Sequence, residues 1–155
     1  MFDADVSLSL QLLAAHLYYR SLLLAPSLVR VWLDGCKDRT LLASVTGYTS
    51  QHFSRVIVDT ELARIRDPAV LAELADENTT VKVSSAVNEV TAAYTVDEQA
   101  LEITLKLPTD WPLHAIEVRD NKRVAIPEDR WRAWILGVQR IIWSQVSIPL
   151  RLYDY

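Results

Sequence analysis

The residues that could do chemistry are few and scattered. The sequence holds three histidines (His16, His52 and His114) and one cysteine, Cys36. No two histidines stand four residues apart and no HExxH occurs, so a zinc site would need ligands from widely separated segments. Cys36 becomes a nucleophile only if the fold brings a distant histidine and carboxylate beside it. The plainer expectation is a buried thiol at a helix end. Asp97–Glu98 and Glu128–Asp129 are adjacent acid pairs. The first suits a solvated turn and the second a helix N-terminus, where the dipole favours negative charge, better than an acid/base couple. With three glycines in 155 residues, a glycine-rich phosphate loop is nearly excluded.

Two groupings are better suited to contact than to catalysis. Arg119, Lys122 and Arg123 lie close together, with Arg130 and Arg132 soon after. They make either a solvated turn and helix face or a phosphate- or acid-facing patch on a chain of net charge −4. Trp131 and Trp134 share a helical spacing that places them in a core, whereas Trp143 falls off that stripe and is the better candidate for meeting another surface.

These side chains need a scaffold, and composition provides for one. Half of the residues are hydrophobic and 23% are charged, which is enough for a sizeable core. Bulk charge gives no reason to expect a nucleic-acid binder. A single cysteine rules out an intrachain disulfide and fits a reducing compartment. Asp3 and Asp5 precede the first apolar run, which is the wrong sign for a secretory signal. Leu8–Leu24 is leucine-rich but interrupted by Ser9, Gln11, His16 and Arg20, and reads as a packed helix needing neighbours on several sides, not a membrane span.

Hydrophobic periodicity divides the chain. The first 76 residues read as helical. They comprise Val6–Leu24, a short helix entered through Pro26 and ending near Gly35, a third capped by Asp38 and ended by Gly47, a fourth from Ser50 to about Arg66, and a short fifth after Asp67–Pro68. The period then changes to two. Thr79–Val83, then Val90, Ala92, Tyr94 and Val96, then Leu101, Ile103, Leu105 and Leu107 read as strands, with a hairpin turn at Asp97–Ala100. Ile116 and Val118 suggest a further strand before a turn at Asp120–Asn121. A helix from about Pro127 to Gln145 carries Trp131, Trp134, Ile135, Val138, Ile141 and Ile142 as one apolar stripe facing the sheet, with Gly137 inside it allowing close approach to a strand. The tail 146–155 shows no pattern. Helices, then a strand meander, then a helix is an α+β order.

Against this frame, Pro108-Thr109-Asp110-Trp111-Pro112-Leu113 resembles the aromatic–proline turn of the RWD fold, written YPxxxP. Trp111 replaces the tyrosine, and Ile116 stands where the later proline is expected. Asn88–Val96, Leu105–Pro108 with Trp111–Leu113, and Arg130–Trp134 ahead of Ile141 resemble the C-terminal region of the listerin family of large E3 ubiquitin ligases. Pro26–Val29 with Trp32, and Cys36–Arg39, resemble the end of that family's HEAT-repeat arm.

The resemblance implies a HEAT-like helical segment over 1–66, an RWD-like antiparallel sheet packed on a C-terminal helix over 67–145, and a tail over 146–155. In the family a zinc-bearing RING that recruits the E2 follows the RWD domain. No cysteine or histidine occurs in the tail here, so zinc is expected only in a RING that this sequence does not contain, with no cofactor in these residues. The family's ligase activity therefore does not transfer to these residues. What remains implied is a cytosolic, membrane-free docking role on the large ribosomal subunit, through ribosomal protein or rRNA and other quality-control factors. Arg119, Lys122, Arg123, Arg130 and Trp143 are the contact candidates. The alternative is an RWD-type module that binds ubiquitin, an E2 or another quality-control factor.

Overall fold

The computed structural model describes residues 4–96, 99–122 and 126–145. Six helices and four strands follow in the order α1 (Ala4–Leu24), α2 (Pro26–Gly35), α3 (Arg39–Thr49), α4 (Arg55–Ile65), α5 (Pro68–Leu74), β1 (Thr79–Ser84), β2 (Glu89–Val96), β3 (Gln99–Lys106), β4 (Glu117–Lys122) and α6 (Glu128–Gln145). The α+β reading holds: a helical N-terminal part precedes an antiparallel sheet of strand order β1-β2-β3-β4 and a C-terminal helix.

Local chemistry explains the helix starts. Pro26 begins α2, where its missing N–H costs nothing. Asp38 caps α3, its carboxylate accepting from the amides of Thr40 and Leu41 at 2.9 and 3.0 Å. Asp67 caps α5 by accepting from Ala69 at 2.8 Å, with Pro68 next. Gly47, expected to end a helix, does not. No glycine among the described residues has positive φ, and α3 runs on to Thr49. A π-helical turn, Ser50–Ser54, then carries the chain without a break into α4. Thr49 is fully buried inside this long rod, its hydroxyl 2.7 Å from the carbonyl of Val45 and 2.7 Å from the Tyr18 phenol. Burial pushes the Tyr18 phenol above its ordinary pKa, and the bond to Thr49 partly offsets this.

In the sheet, Val96 pairs with Gln99, so the β2–β3 connection is two residues, shorter than the turn expected over Asp97–Ala100; residues 97–98 lie outside the described residues. Asn88, at φ 56°, closes the β1–β2 hairpin in the left-handed region that asparagine tolerates. Asp120 and Asn121, expected in a turn, belong to β4. Their side chains explain the difference, because both are spent on tertiary hydrogen bonds and neither supports a local turn.

The helical and sheet parts share one core. Leu22 of α1, Leu33 of α2 and Ile57, Val58 and Leu62 of α4 form a single buried cluster with Val90 of β2 and with Leu107, Trp111 and Leu113 of the loop after β3. Apolar burial of this extent is the main stabilising contribution to such an interface. Much of α1 takes no part in it: Leu8, Leu10, Leu12, Leu13 and Leu17 stay exposed. No single described helix is long and apolar enough to cross a membrane.

On α6 the buried stripe is narrower than the spacing predicts. Trp131 is buried and Ile135, Val138 and Ile142 are half-buried, but Trp134 and Ile141 stand exposed on its flank. A stripe read from residue types alone cannot tell its centre from its edge. Gly137 also differs from expectation, since a Cβ there would meet nothing within 4 Å. It makes no close approach to a strand, so Gly137→Ala is expected to raise stability by about 1 kcal/mol. Thermal unfolding checks this, and a lowered midpoint would contradict it.

Candidate partner-binding surface

Alternation along the strands places Glu89, Thr91, Thr104, Lys106, Glu117 and Arg119 on one polar face of the sheet. The β3–β4 register shifts between Glu102 and Ile103, whose partners are Lys122 and Asp120. Asn121 is the residue left over by that shift. Its amide donates to Glu102 Oε1 at 2.9 Å and to Thr104 Oγ1 at 2.6 Å. Thr104, itself buried, also bonds Thr91 across the strands at 2.9 Å.

Arg119 lies inside this network. Its guanidinium grips both oxygens of Glu117 at 2.8 and 2.9 Å and reaches Glu89 at 3.3 Å, and Lys106 lies 3.7 Å from the same Glu89 carboxylate. The hydrogen bond from Arg119 holds the Glu117 carboxyl below its usual range, and the same bond raises the Arg119 guanidinium. Two carboxylates thus face two cations, and this part of the sheet is locally neutral. The five-residue basic patch expected from sequence loses Arg119 to that network, because a strand puts Glu117 and Arg119 on the same face while Glu89 approaches from β2.

Of the other expected contact residues, Lys122 is exposed at the end of β4 and Arg130 is exposed in the first turns of α6. Arg132 is exposed too, but pairs with Glu128 one turn earlier at 2.9 Å. Arg123 lies outside the described residues. Trp143 belongs to α6, and its side chain lies outside them too.

Residues not singled out from sequence prove decisive for positioning. Asp120 accepts a hydrogen bond from Trp131 Nε1 at 2.9 Å, which anchors α6 to β4. The flank beside that anchor carries Arg130, Trp134 and Ile141, which at 3.6 residues per turn fall within about 40° of one another. Arg30 of α2 is buried, and its Nη1 donates to the Pro112 carbonyl at 3.0 Å, in the loop that carries the cis Trp111–Pro112 bond. Burial lowers the pKa of the Arg30 guanidinium, with Asp34 acting in the opposite direction. A sequence signal for Arg30 existed: it stands between Pro26 and Leu33 at i, i+4 and i+7, an arginine in the middle of a buried stripe.

The groups that could carry reactions have other neighbours. Cys36, half-buried where α2 ends, has its Sγ 3.8 Å from the Asp38 carbonyl. His114 bonds Asp110 through Nδ1 at 2.5 Å and is exposed, and His52 packs on the ring of Tyr48. Among the described residues no group of three or more His, Cys, Asp or Glu side chains is arranged to hold a metal ion.

Two known families match this chain in consecutive pieces. Residues 2–66 match the LTN1 family HEAT repeat region, and residues 79–148 match the ubiquitin conjugating domain-like family. Among similar proteins is the E3 ubiquitin-protein ligase listerin of Saccharomyces cerevisiae, 31% identical over 141 residues, covering 91% of this chain and 9% of that protein. The listerins of Gallus gallus and Schizosaccharomyces pombe are 33% and 32% identical, each over 86% of this chain and over 7% and 8% of their own lengths. The chain spans less than a tenth of the length of these relatives. It is a listerin homologue, joining part of the family's HEAT repeat region to a ubiquitin-conjugating-like domain.

Proposed function

We propose that this chain is a non-catalytic docking segment of a listerin-type E3 ubiquitin ligase, positioning the ligase on the stalled large ribosomal subunit so that aberrant nascent chains are ubiquitinated. The observation that carries this reading is the shared core between the HEAT-type helices and the ubiquitin-conjugating-like domain. A segment built this way transmits position. The chemistry of the second domain supports a non-catalytic role: the only cysteine, Cys36, lies outside residues 79–148, so that stretch has no thiol to carry ubiquitin as a thioester. Lys122 and Arg130 are exposed cations suited to phosphate or to an acidic protein surface. The cytosol is the compartment this role requires.

Co-sedimentation with obstructed large ribosomal subunits tests the reading. Wild type should pellet with the subunit and be released by salt, and the Lys122→Glu/Arg130→Glu variant should bind several-fold more weakly. Failure of wild type to co-sediment at low salt would contradict the proposal. Equal binding by the variant would remove these two cations from the contact and leave the docking reading in place.

A second reading, a module that binds ubiquitin or an E2, is favoured by one feature: the exposed Trp134 and Ile141 on one flank of α6. Capture of purified ubiquitin or E2 without the ribosomal subunit, lost in Trp134→Ala, would support it.

A further inference from the structure

We infer that Arg30 is a positioning residue, whose bond to the Pro112 carbonyl fixes the angle between the HEAT-type helices and the ubiquitin-conjugating-like domain. Arg30 and Pro112 are 82 residues apart in sequence, and their bond is buried. The loop that receives it is anchored on both sides by Trp111 and Leu113, both buried in the shared core. The surrounding contacts between the two parts are apolar, and apolar burial is non-directional. Side chains such as Leu22, Leu33 and Leu62 oppose separation of the parts while resisting rotation weakly. A hydrogen bond from a planar guanidinium is directional and falls off steeply with misalignment.

A buried guanidinium is also a costly way to obtain cohesion. Replacing a buried charge and its partners by apolar groups of similar volume is often neutral or stabilising. Arg30 therefore contributes orientation more than adhesion. A second, exposed bond crosses the same boundary elsewhere, from Arg66 Nη2 to the Val83 carbonyl at 3.4 Å. Two separated attachments define a fixed angle where one would leave a pivot, and the buried one is the stronger. The inference deepens the docking reading, since it names what sets the direction in which Lys122, Arg130 and the α6 flank face.

The test needs no partner, so it can fail independently of co-sedimentation. Ala43 on α3 and Thr95 on β2 are both exposed. In a Cys36→Ser background, Ala43→Cys and Thr95→Cys carry spin labels, and pulsed dipolar spectroscopy reads the distance distribution across the boundary. With Arg30 present, one narrow distribution is expected. Arg30→Met, which keeps much of the volume and loses the donors, should broaden it about twofold under conditions where the variant is fully folded; its unfolding midpoint falls as well, because the buried Pro112 carbonyl loses its donor. A purely structural role would lower the midpoint and leave the folded distribution narrow, and that result would overturn the assignment. Should Arg30→Met fail to fold, Arg30→Leu, which also lacks a donor, decides by the same measurement: a broadened distribution supports the inference and an unchanged one overturns it.

Discussion

Trp131→Ala is expected to lower the unfolding free energy by about 3–5 kcal/mol. Trp131 is 4% exposed, on the face of α6 that meets the sheet, and is the one buried residue in the described part of that helix. Truncation removes its apolar area from the interface and opens a cavity that Ile135 and Val138, one and two turns away, cannot fill. It also breaks the Nε1 bond to Asp120. That second loss is the smaller one, because Asp120 is exposed and water can replace the donor. Trp131→Phe separates the two, keeping most of the apolar body and costing about 1 kcal/mol for the bond, plus a modest packing deficit. Against a typical total of about 5–15 kcal/mol, the alanine variant should lose much of its margin. Urea unfolding followed by circular dichroism reads the difference, and a change under about 1 kcal/mol would contradict the packing described for α6.

Trp111→Ala should have a similar cost, about 3–5 kcal/mol, with a different signature. Trp111 belongs to the cluster that includes Leu33 and Leu62, so its removal weakens the boundary between the two parts as well as the loop itself. Wild type is expected to unfold in one transition, because a shared core couples the parts. In Trp111→Ala the transition should broaden and its denaturant dependence fall, as the parts begin to open separately. The remaining tryptophans report on both sides, with Trp32 in the helices and Trp131, Trp134 and Trp143 on α6. A variant that loses stability with an unchanged slope would show that Trp111 acts within the ubiquitin-conjugating-like domain alone.

Much of the architecture is legible in the residues because periodicity and capping are local. Asp38, Asp67 and Pro26 mark helix starts by satisfying or lacking specific amides, and the alternation of Leu101, Ile103 and Leu105 marks a strand. What sequence misplaces depends on partners distant along the chain. Gly47 looks like a stop, yet the rod continues because its next turns, from Thr49 to Phe53, pack onto Tyr18 and Tyr19 of α1. Asp120 and Asn121 look like a turn, yet they lie in a strand because Trp131, Glu102 and Thr104 take their side chains.

The geometry of the candidate contact surface is legible in part, for the same reason. Composition identifies the cluster of basic residues, but only the strand register shows that Arg119 is neutralised by Glu117 and Glu89 while Lys122 stays exposed. Arg30 shows the converse. Its spacing with Pro26 and Leu33 marks it as buried, but nothing near it in sequence names a carbonyl 82 residues away.

The docking account is tested most directly by amine cross-linking of the ligase-bound large ribosomal subunit, read by mass spectrometry. The account predicts cross-links from Lys122, at the end of β4, to proteins of the large subunit, and fewer from Lys106, which is held against Glu89. Cross-links from this domain only to ubiquitin or an E2, with the subunit present and bound, would contradict it.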